Sequence, residues 1–65
     1  MKFKLYDRVI DTRRNIEVNI ISILHGEGEQ VYAIQNTWDN EVYLATNEIL
    51  IPYDNEYFNK NSYGG

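Results

Sequence analysis

The sequence contains no cysteine, only one histidine, His25, and only one proline, Pro52. Without cysteine the chain cannot form a disulfide, and one histidine with no cysteine leaves no ligand set for a structural zinc site. No stretch approaches the roughly 18 consecutive apolar residues of a membrane span, and the N-terminus lacks the apolar segment of a signal peptide. We therefore expect no metal, no cofactor, no membrane contact and a cytoplasmic location.

Positive charge is missing from most of the chain. No Lys or Arg occurs between Asn15 and Asn59, whereas the same stretch carries eight carboxylates, and the net charge is -4. Five of the six basic residues lie in the first fourteen positions. A mostly negative surface with one positive corner steers positively charged molecules towards the body of the protein. The distribution predicts a protein partner with a basic surface.

The length allows one domain at most. A chain of 65 residues buries only about 60% of the surface that its unfolded form exposes. The apolar fraction of 43% and the aromatic fraction of 14% are sufficient for a core without disulfides. We expect residues 1–52 to form the domain and residues 53–65 to be a polar, aromatic-containing C-terminal tail. The abundance of Asn, Ile and Tyr, which have A/T-rich codons, suggests a low-GC bacterium or one of its phages.

Most segments alternate polar and apolar residues, which is typical of half-buried strands. Residues 16–24 are ambiguous, because their apolar positions would also share one face of a helix. Five β-branched residues within eight positions favour a strand there. The doublet Ile20-Ile21 breaks the alternation and predicts a bulge.

The other predicted elements follow from alternation and turn chemistry. We expect a first strand from the alternation in residues 2–5 and 7–10, a loop over 11–15, and further strands over 31–35, 41–45 and 49–51. Glycines in 25–29 and Asn and Asp in 36–40 predict two hairpin turns. Thr46-Asn47-Glu48 predicts one short turn of helix before the last strand.

The segments Tyr6-Asp7-Arg8-Val9, 18–23, 31–34, 41–44 and 47–52 follow one another in an order that resembles the small SH3-like barrels, a group that includes SH3, Tudor and KOW-type domains. The resemblance covers roughly residues 5–52. The glycine that usually precedes the first Asp in this group is here Tyr6. The resemblance implies an all-β fold, a small five-stranded SH3-like barrel with one short helical turn near the C-terminal end.

Aromatic residues near strand ends and turns are the candidate partner-binding residues. In SH3-like barrels such residues converge on one side, where they form a proline-binding groove or a cage for a cationic side chain. Tyr32 and Tyr43 alternate with apolar neighbours, which favours packing over the core. Trp38 either contacts a partner or folds over the end of the barrel. Nearby carboxylates favour a positively charged ligand. The candidate set is Tyr6, Tyr32, Trp38, Asp39, Glu41 and Tyr43.

Catalysis has little support in this sequence. His25 lies in a Gly-rich turn, and no Cys or Ser stands in a nucleophile motif. We therefore predict a non-enzymatic protein-binding module that uses an acidic aromatic face. A phage or mobile-element adaptor or inhibitor fits this description, and an acidic barrel can also act as a nucleic-acid mimic in the basic groove of an enzyme.

Two alternatives remain open at this point. The first is a nucleic-acid-associated barrel of the KOW or Tudor type that uses a patch of Arg8, Arg13 and Arg14, although the net charge of -4 disfavours it. The same arginines could instead be paired locally. The second is a carrier protein with an activated C-terminus, suggested by Gly64-Gly65, but the order of the predicted elements does not fit such folds.

Overall fold

The computed structural model of the chain describes residues 3–62. Within this range, five strands form one antiparallel sheet in the order β4-β3-β2-β1-β5. The prediction of an all-β fold with five strands is confirmed. The elements are β1 (Arg8–Asp11), β2 (Ile16–His25), β3 (Gln30–Asn36), β4 (Val42–Thr46), β5 (Leu50–Pro52) and one helix, α1 (Asn55–Ser62).

The long strand β2 organises the sheet. It pairs with β1 through residues 16–19 and with β3 through residues 18–25. Its pairing with β3 shifts register between Ile20 and Ser22, which confirms both the predicted strand and the predicted bulge. Because a bulge bends a strand and increases its twist, it separates the part of β2 that pairs with β1 from most of the part that pairs with β3.

The connection between β4 and β5 crosses from one edge of the sheet to the other. The Ile49 N–H donates to the Thr46 carbonyl at 3.1 Å and the Leu50 N–H to the Asn47 carbonyl at 3.3 Å, so this connection contains the predicted helical turn. The Thr12 N–H donates to the Ile49 carbonyl, which attaches the turn to the end of β1. No ladder joins β4 to β5 among residues 3–62, and the sheet is open between these two edges.

Alternating residues of the strands build the core. Partly buried hydrophobic residues from β2, β4 and the turn after β4 pack around it. Ile10 is also fully buried but lies outside this cluster, as expected for the neighbour of an inward-facing residue in a strand. The core cluster consists of Phe3, Val9, Val18, Ile20, Tyr32, Ile34, Ala45 and Leu50.

The N-terminal segment differs from the prediction. Residues 3–6 form no strand, because the Asp7 side chain accepts a hydrogen bond from the Lys4 N–H at 2.9 Å and the Asp7 N–H donates to the Lys4 carbonyl, which closes a turn. The alternation in 2–5 therefore has another cause: Phe3 is a buried core residue at the start of a turn. Asp11, expected in a loop, is the last residue of β1 and is completely buried.

The helix α1 lies in the segment that the sequence analysis treats as a tail. Asp54 caps it, since its side chain accepts a hydrogen bond from the Glu56 N–H at 2.9 Å. The Tyr57 hydroxyl donates to the Asn15 side chain at 2.7 Å, so the helix is attached to the β1–β2 turn. In the range 3–62, no helix has the length and apolar character needed to cross a membrane. Gly64-Gly65 lies outside the described residues.

Candidate functional site

The hairpin between β3 and β4 carries Trp38 at its tip. The Asn36 side chain accepts a hydrogen bond from the Trp38 N–H at 2.8 Å, and its carbonyl accepts one from the Asn40 N–H at 3.0 Å. Asn40 has a φ of 64°, in the left-handed region that Asn tolerates better than most residues. The Asn36 N–H in turn donates to the Glu41 carbonyl. Asn36 therefore fixes both ends of the hairpin.

Further hydrogen bonds attach the hairpin to itself and to the sheet. The Asp39 side chain accepts a hydrogen bond from the Glu41 N–H at 2.9 Å. The Thr37 N–H donates to the carbonyl of Glu17 on β2 at 3.3 Å. A loop held by this many hydrogen bonds has little conformational freedom to lose when a partner binds.

The indole of Trp38 is nevertheless 89% exposed. Of the two outcomes left open by the sequence, the structure excludes packing over the end of the sheet. Trp38 borders a shallow concavity of about 290 Å³ that also includes Ile16 of β2 and Phe58 of α1. The hairpin therefore places a large aromatic side chain beside two further apolar residues at the protein surface.

The charge around Trp38 is negative. Asp39 and Glu41 are both exposed on the same hairpin. Glu17, which borders the concavity, forms an ion pair with Arg8 at 3.0 Å. This surface thus combines apolar area with two carboxylates that have no salt-bridge partner among the side chains of residues 3–58.

Tyr32 and Tyr43 point into the fold rather than towards solvent. Tyr32 is fully buried, and its ring packs edge-to-face on Phe3 with 5.6 Å between ring centroids. Tyr43 is half-buried against the core, and the guanidinium of Arg14 lies 4.0 Å from the centre of its ring. The ring face that could have bound a cationic ligand is therefore occupied by a cation of the protein itself.

Tyr6 is attached to β2 at a different residue from the Trp38 hairpin. Its N–H donates to the carbonyl of Ile20, whereas the hairpin is attached to β2 at Glu17. The aromatic candidates expected on one side thus do not converge: Tyr6 and Trp38 are exposed in different places and the other two are packed. Tyr6 is 75% exposed and has a φ of 69°, so it occupies a left-handed position at the point where the SH3-like pattern places a glycine.

The left-handed conformation of Tyr6 costs stability. A bulky residue in the left-handed region carries a strain of about 1–2 kcal/mol, and glycine removes it while adding roughly 0.5–1 kcal/mol of conformational entropy cost. We expect Tyr6→Gly to raise the free energy of unfolding by about 0.5–1 kcal/mol, and Tyr6→Ala to leave it nearly unchanged. Urea denaturation of the three proteins measures this, and a glycine variant less stable than the alanine variant would contradict it.

The three arginines of the proposed basic patch are spread along β1 and the turn that follows it. Arg8 begins β1, where it pairs with Glu17 and lies 5.5 Å from the ring centre of Tyr53. Arg14 forms an ion pair with the buried carboxylate of Asp11 at 2.7 Å. Arg13 is exposed. Two of the three guanidinium groups therefore have partners within the protein.

Comparison of the chain with protein-family models, with curated proteins and with solved structures finds no match. The site is therefore defined by its geometry alone. Of the five residues around the concavity, the sequence analysis selected only Trp38, and it missed Asn15, Glu17 and the two apolar residues Ile16 and Phe58. Phe58 had one signal, its position between polar residues in the C-terminal segment, whereas Ile16 had none beyond the strand pattern.

Proposed function

We propose that this chain is a small SH3-like barrel that acts as a non-enzymatic protein-binding module, with the Trp38 hairpin as its recognition element. The strand order, the long bent strand β2 and the helical turn before β5 support the barrel assignment. Domains of many functions share such a barrel, so the fold alone does not indicate the function, and the Trp38 hairpin is the more specific feature.

The observation that carries the proposal is the exposure of Trp38 on a hairpin held by hydrogen bonds. An indole that is 89% exposed leaves apolar area in water, and a partner that covers this area gains free energy. Trp is among the residues that most often dominate binding energy in protein interfaces. Ile16 and Phe58 beside it extend the apolar area of the contact.

The partner that fits this surface carries positive charge. Asp39 and Glu41 follow Trp38 on the same hairpin and are exposed, and the sequence from Asn15 to Asn59 contains no Lys or Arg. Complementary charges across an interface accelerate association and exclude acidic competitors. An adaptor that recruits a basic protein, or an inhibitor that occupies the basic groove of a nucleic-acid enzyme, has these properties.

The Trp38→Ala variant tests the proposal. We expect it to lower the affinity for the partner by about 30-fold or more, which corresponds to about 2 kcal/mol, because the side chain at the centre of the contact is lost. Its free energy of unfolding should change by less than about 0.5 kcal/mol, since an exposed side chain stabilises little. The partner is obtained by affinity capture from the organism that encodes the protein, and both affinities are then measured by calorimetry with the purified partner.

Tyr53→Ala is the matched control, because Tyr53 is an exposed aromatic residue beside Arg8, outside the hairpin. It should leave the affinity nearly unchanged. Equal losses in both variants, or no loss with Trp38→Ala, would contradict a role for the hairpin.

Nucleic-acid binding is the outcome that would replace the proposal. The ion pairs of Arg8 with Glu17 and of Arg14 with Asp11 disfavour nucleic-acid binding. Duplex and single-stranded DNA and RNA should show no binding at low salt. Binding that weakens with salt and disappears with Arg13→Ala plus Arg14→Ala would instead support the alternative.

A further inference from the structure

The two edges of the sheet differ in how far they resist pairing with another strand. An exposed edge strand is usually blunted by Lys, by Pro or by short length. The edge strand β5 has three residues and ends in Pro52. The edge strand β4 has five residues, contains neither Lys nor Pro, and exposes Val42 and Leu44 by 51% and 60%. Only the β4 edge lacks these protective features.

The backbone of β4 is oriented for pairing. At the turn end of the β3–β4 ladder, the Asn36 N–H donates to the Glu41 carbonyl at 2.8 Å, so these two residues face each other at a hydrogen-bonded position. Hydrogen-bonded and non-hydrogen-bonded pairs alternate along an antiparallel ladder. In the β3–β4 register, Val42 and Leu44 therefore belong to non-hydrogen-bonded pairs. Their N–H and C=O groups point away from β3, towards the open edge.

Carboxylates lie at both ends of this edge. Asp39 and Glu41 precede β4 in the Trp38 hairpin. At the other end, Glu29 and Glu48 border a concavity of about 330 Å³ together with Leu44 and Arg13. Among the described side chains, four carboxylates and one guanidinium group thus lie around an apolar strand edge.

We propose that β4 binds an extended, basic segment of the partner protein, which adds to the sheet as a further strand. The segment forms main-chain hydrogen bonds with Val42 and Leu44, and its Lys or Arg side chains lie near the carboxylates at the two ends. This inference rests on the proposed function, because Glu41 connects the Trp38 hairpin directly to β4, and it specifies the partner's conformation and charge.

A second copy of the chain fits this edge poorly. If two β4 strands paired in antiparallel orientation, the Asp39 and Glu41 end of one would meet the Glu48 end of the other. Pairing in parallel would place identical carboxylates side by side. Like charges opposed across a strand pair are destabilising, so the edge selects a basic segment over itself.

Amide hydrogen exchange with a defined probe tests the proposal on the unmodified protein. The probe is the capped peptide Lys-Lys-Val-Thr-Val-Thr-Lys-Lys. At saturation, exchange of the Val42 and Leu44 amides should slow by at least about tenfold, as these donors become hydrogen-bonded. The Tyr43 amide, directed at β3, should be protected with and without peptide. The same peptide with Glu in place of Lys should not bind.

Two variants of one residue separate main-chain from side-chain contacts. Leu44→Pro removes the outward N–H but no donor to the β3 ladder, and proline is tolerated at such edge positions. It should weaken peptide binding by about tenfold or more, whereas Leu44→Ala keeps the N–H and should weaken it by less than about threefold. Thermal melts confirm that both variants fold. If Leu44→Pro does not fold, the exchange measurement on the unmodified protein decides alone.

Several results would overturn the proposal. One is no detectable binding of the Lys peptide, and another is binding without slower exchange at Val42 and Leu44. Equal affinity for the Lys and Glu peptides would exclude the charge selection. A protein that sediments as a dimer, with both amides already protected, would show that a second copy occupies the edge. If the peptide fails but Trp38→Ala still loses the partner, the hairpin function stands without strand addition.

Discussion

An Asp11→Ala variant should lose a large part of the stability of this domain. The Asp11 carboxylate is completely buried and accepts hydrogen bonds from the N–H groups of Arg13 and Arg14, at 2.9 and 3.2 Å. Its other oxygen lies 2.7 Å from the Arg14 guanidinium. One side chain therefore fixes the β1–β2 turn and holds Arg14 in place over the ring of Tyr43.

The expected loss is about 3 kcal/mol. Removing one partner of a buried ion pair costs about 3–5 kcal/mol, and the partial exposure of Arg14 places this pair at the lower end. A domain of this length has a total stability of roughly 3–10 kcal/mol, so the loss is a large fraction of it. The melting temperature should fall by roughly 12–24 °C, as measured by thermal denaturation followed by circular dichroism.

Two controls separate the carboxylate from the turn around it. Arg13→Ala alters an exposed side chain in the same turn and should change the free energy of unfolding by less than about 0.5 kcal/mol. Asp11→Asn keeps one oxygen as an acceptor for the two N–H groups but loses the charge opposite Arg14, so its stability should lie between those of wild type and Asp11→Ala. An Asp11→Ala protein as stable as Arg13→Ala would show that the buried carboxylate does not hold this turn.

The sequence was sufficient where local pattern and packing agree. The β-branched residues of β2 decide between strand and helix, and the doublet Ile20-Ile21 marks the bulge because only one of two adjacent residues can face the core. Gly28, with a φ of 84°, and Asn40, with a φ of 64°, occupy turn positions that these residue types predict. In these segments the local preference and the fold require the same conformation.

The sequence was insufficient where a tertiary contact overrides a local pattern. Alternation in residues 2–5 predicts a strand, but Phe3 packs on Tyr32 and the Asp7 side chain closes a turn. Asp11 resembles a loop residue because it is charged. Its carboxylate is buried nevertheless, since the N–H groups that hydrogen-bond it belong to a turn that forms only when the chain folds. The helix α1 has three Asn in eight residues, a composition with low helix propensity, and its capping residue Asp54 was the one local signal.

The candidate site was predictable in part for a similar reason. Trp38 could be selected because a large aromatic residue between polar neighbours in a turn is unusual. Whether Tyr6, Tyr32 and Tyr43 lie on the same side as Trp38 could not be predicted, since this depends on which face of each strand points inward. The register decides this: Tyr43 pairs with Ile34, a core residue, and so points into the fold.

The same register makes Ile34→Ala the second variant with a large expected effect. Ile34 is fully buried near the middle of β3, directly opposite Ile20 of β2 and Tyr43 of β4. Truncation of a buried Ile to Ala removes apolar contacts and leaves a cavity, at a cost of about 2–5 kcal/mol. Because the buried hydrophobic residues of the described range 3–62, except Ile10, form one core cluster, we expect about 3 kcal/mol, measured by urea denaturation, and partial unfolding at 37 °C.

Leu44→Ala is the matched control, since it also truncates a large aliphatic side chain and lies on the adjacent strand, opposite Ala33. Its side chain is 60% exposed, so the expected loss is below about 1 kcal/mol. If Ile34→Ala loses at least three times as much free energy of unfolding as Leu44→Ala, this shows directly which face of the β3–β4 hairpin is inward. If both variants lost the same free energy, the faces would be wrongly assigned. Leu44 would then not point outward at the open edge, and Ile34 would not point into the core. The two assignments depend on each other, because Ile34 pairs with Tyr43 and Leu44, the next residue after Tyr43, must point to the opposite side of the sheet.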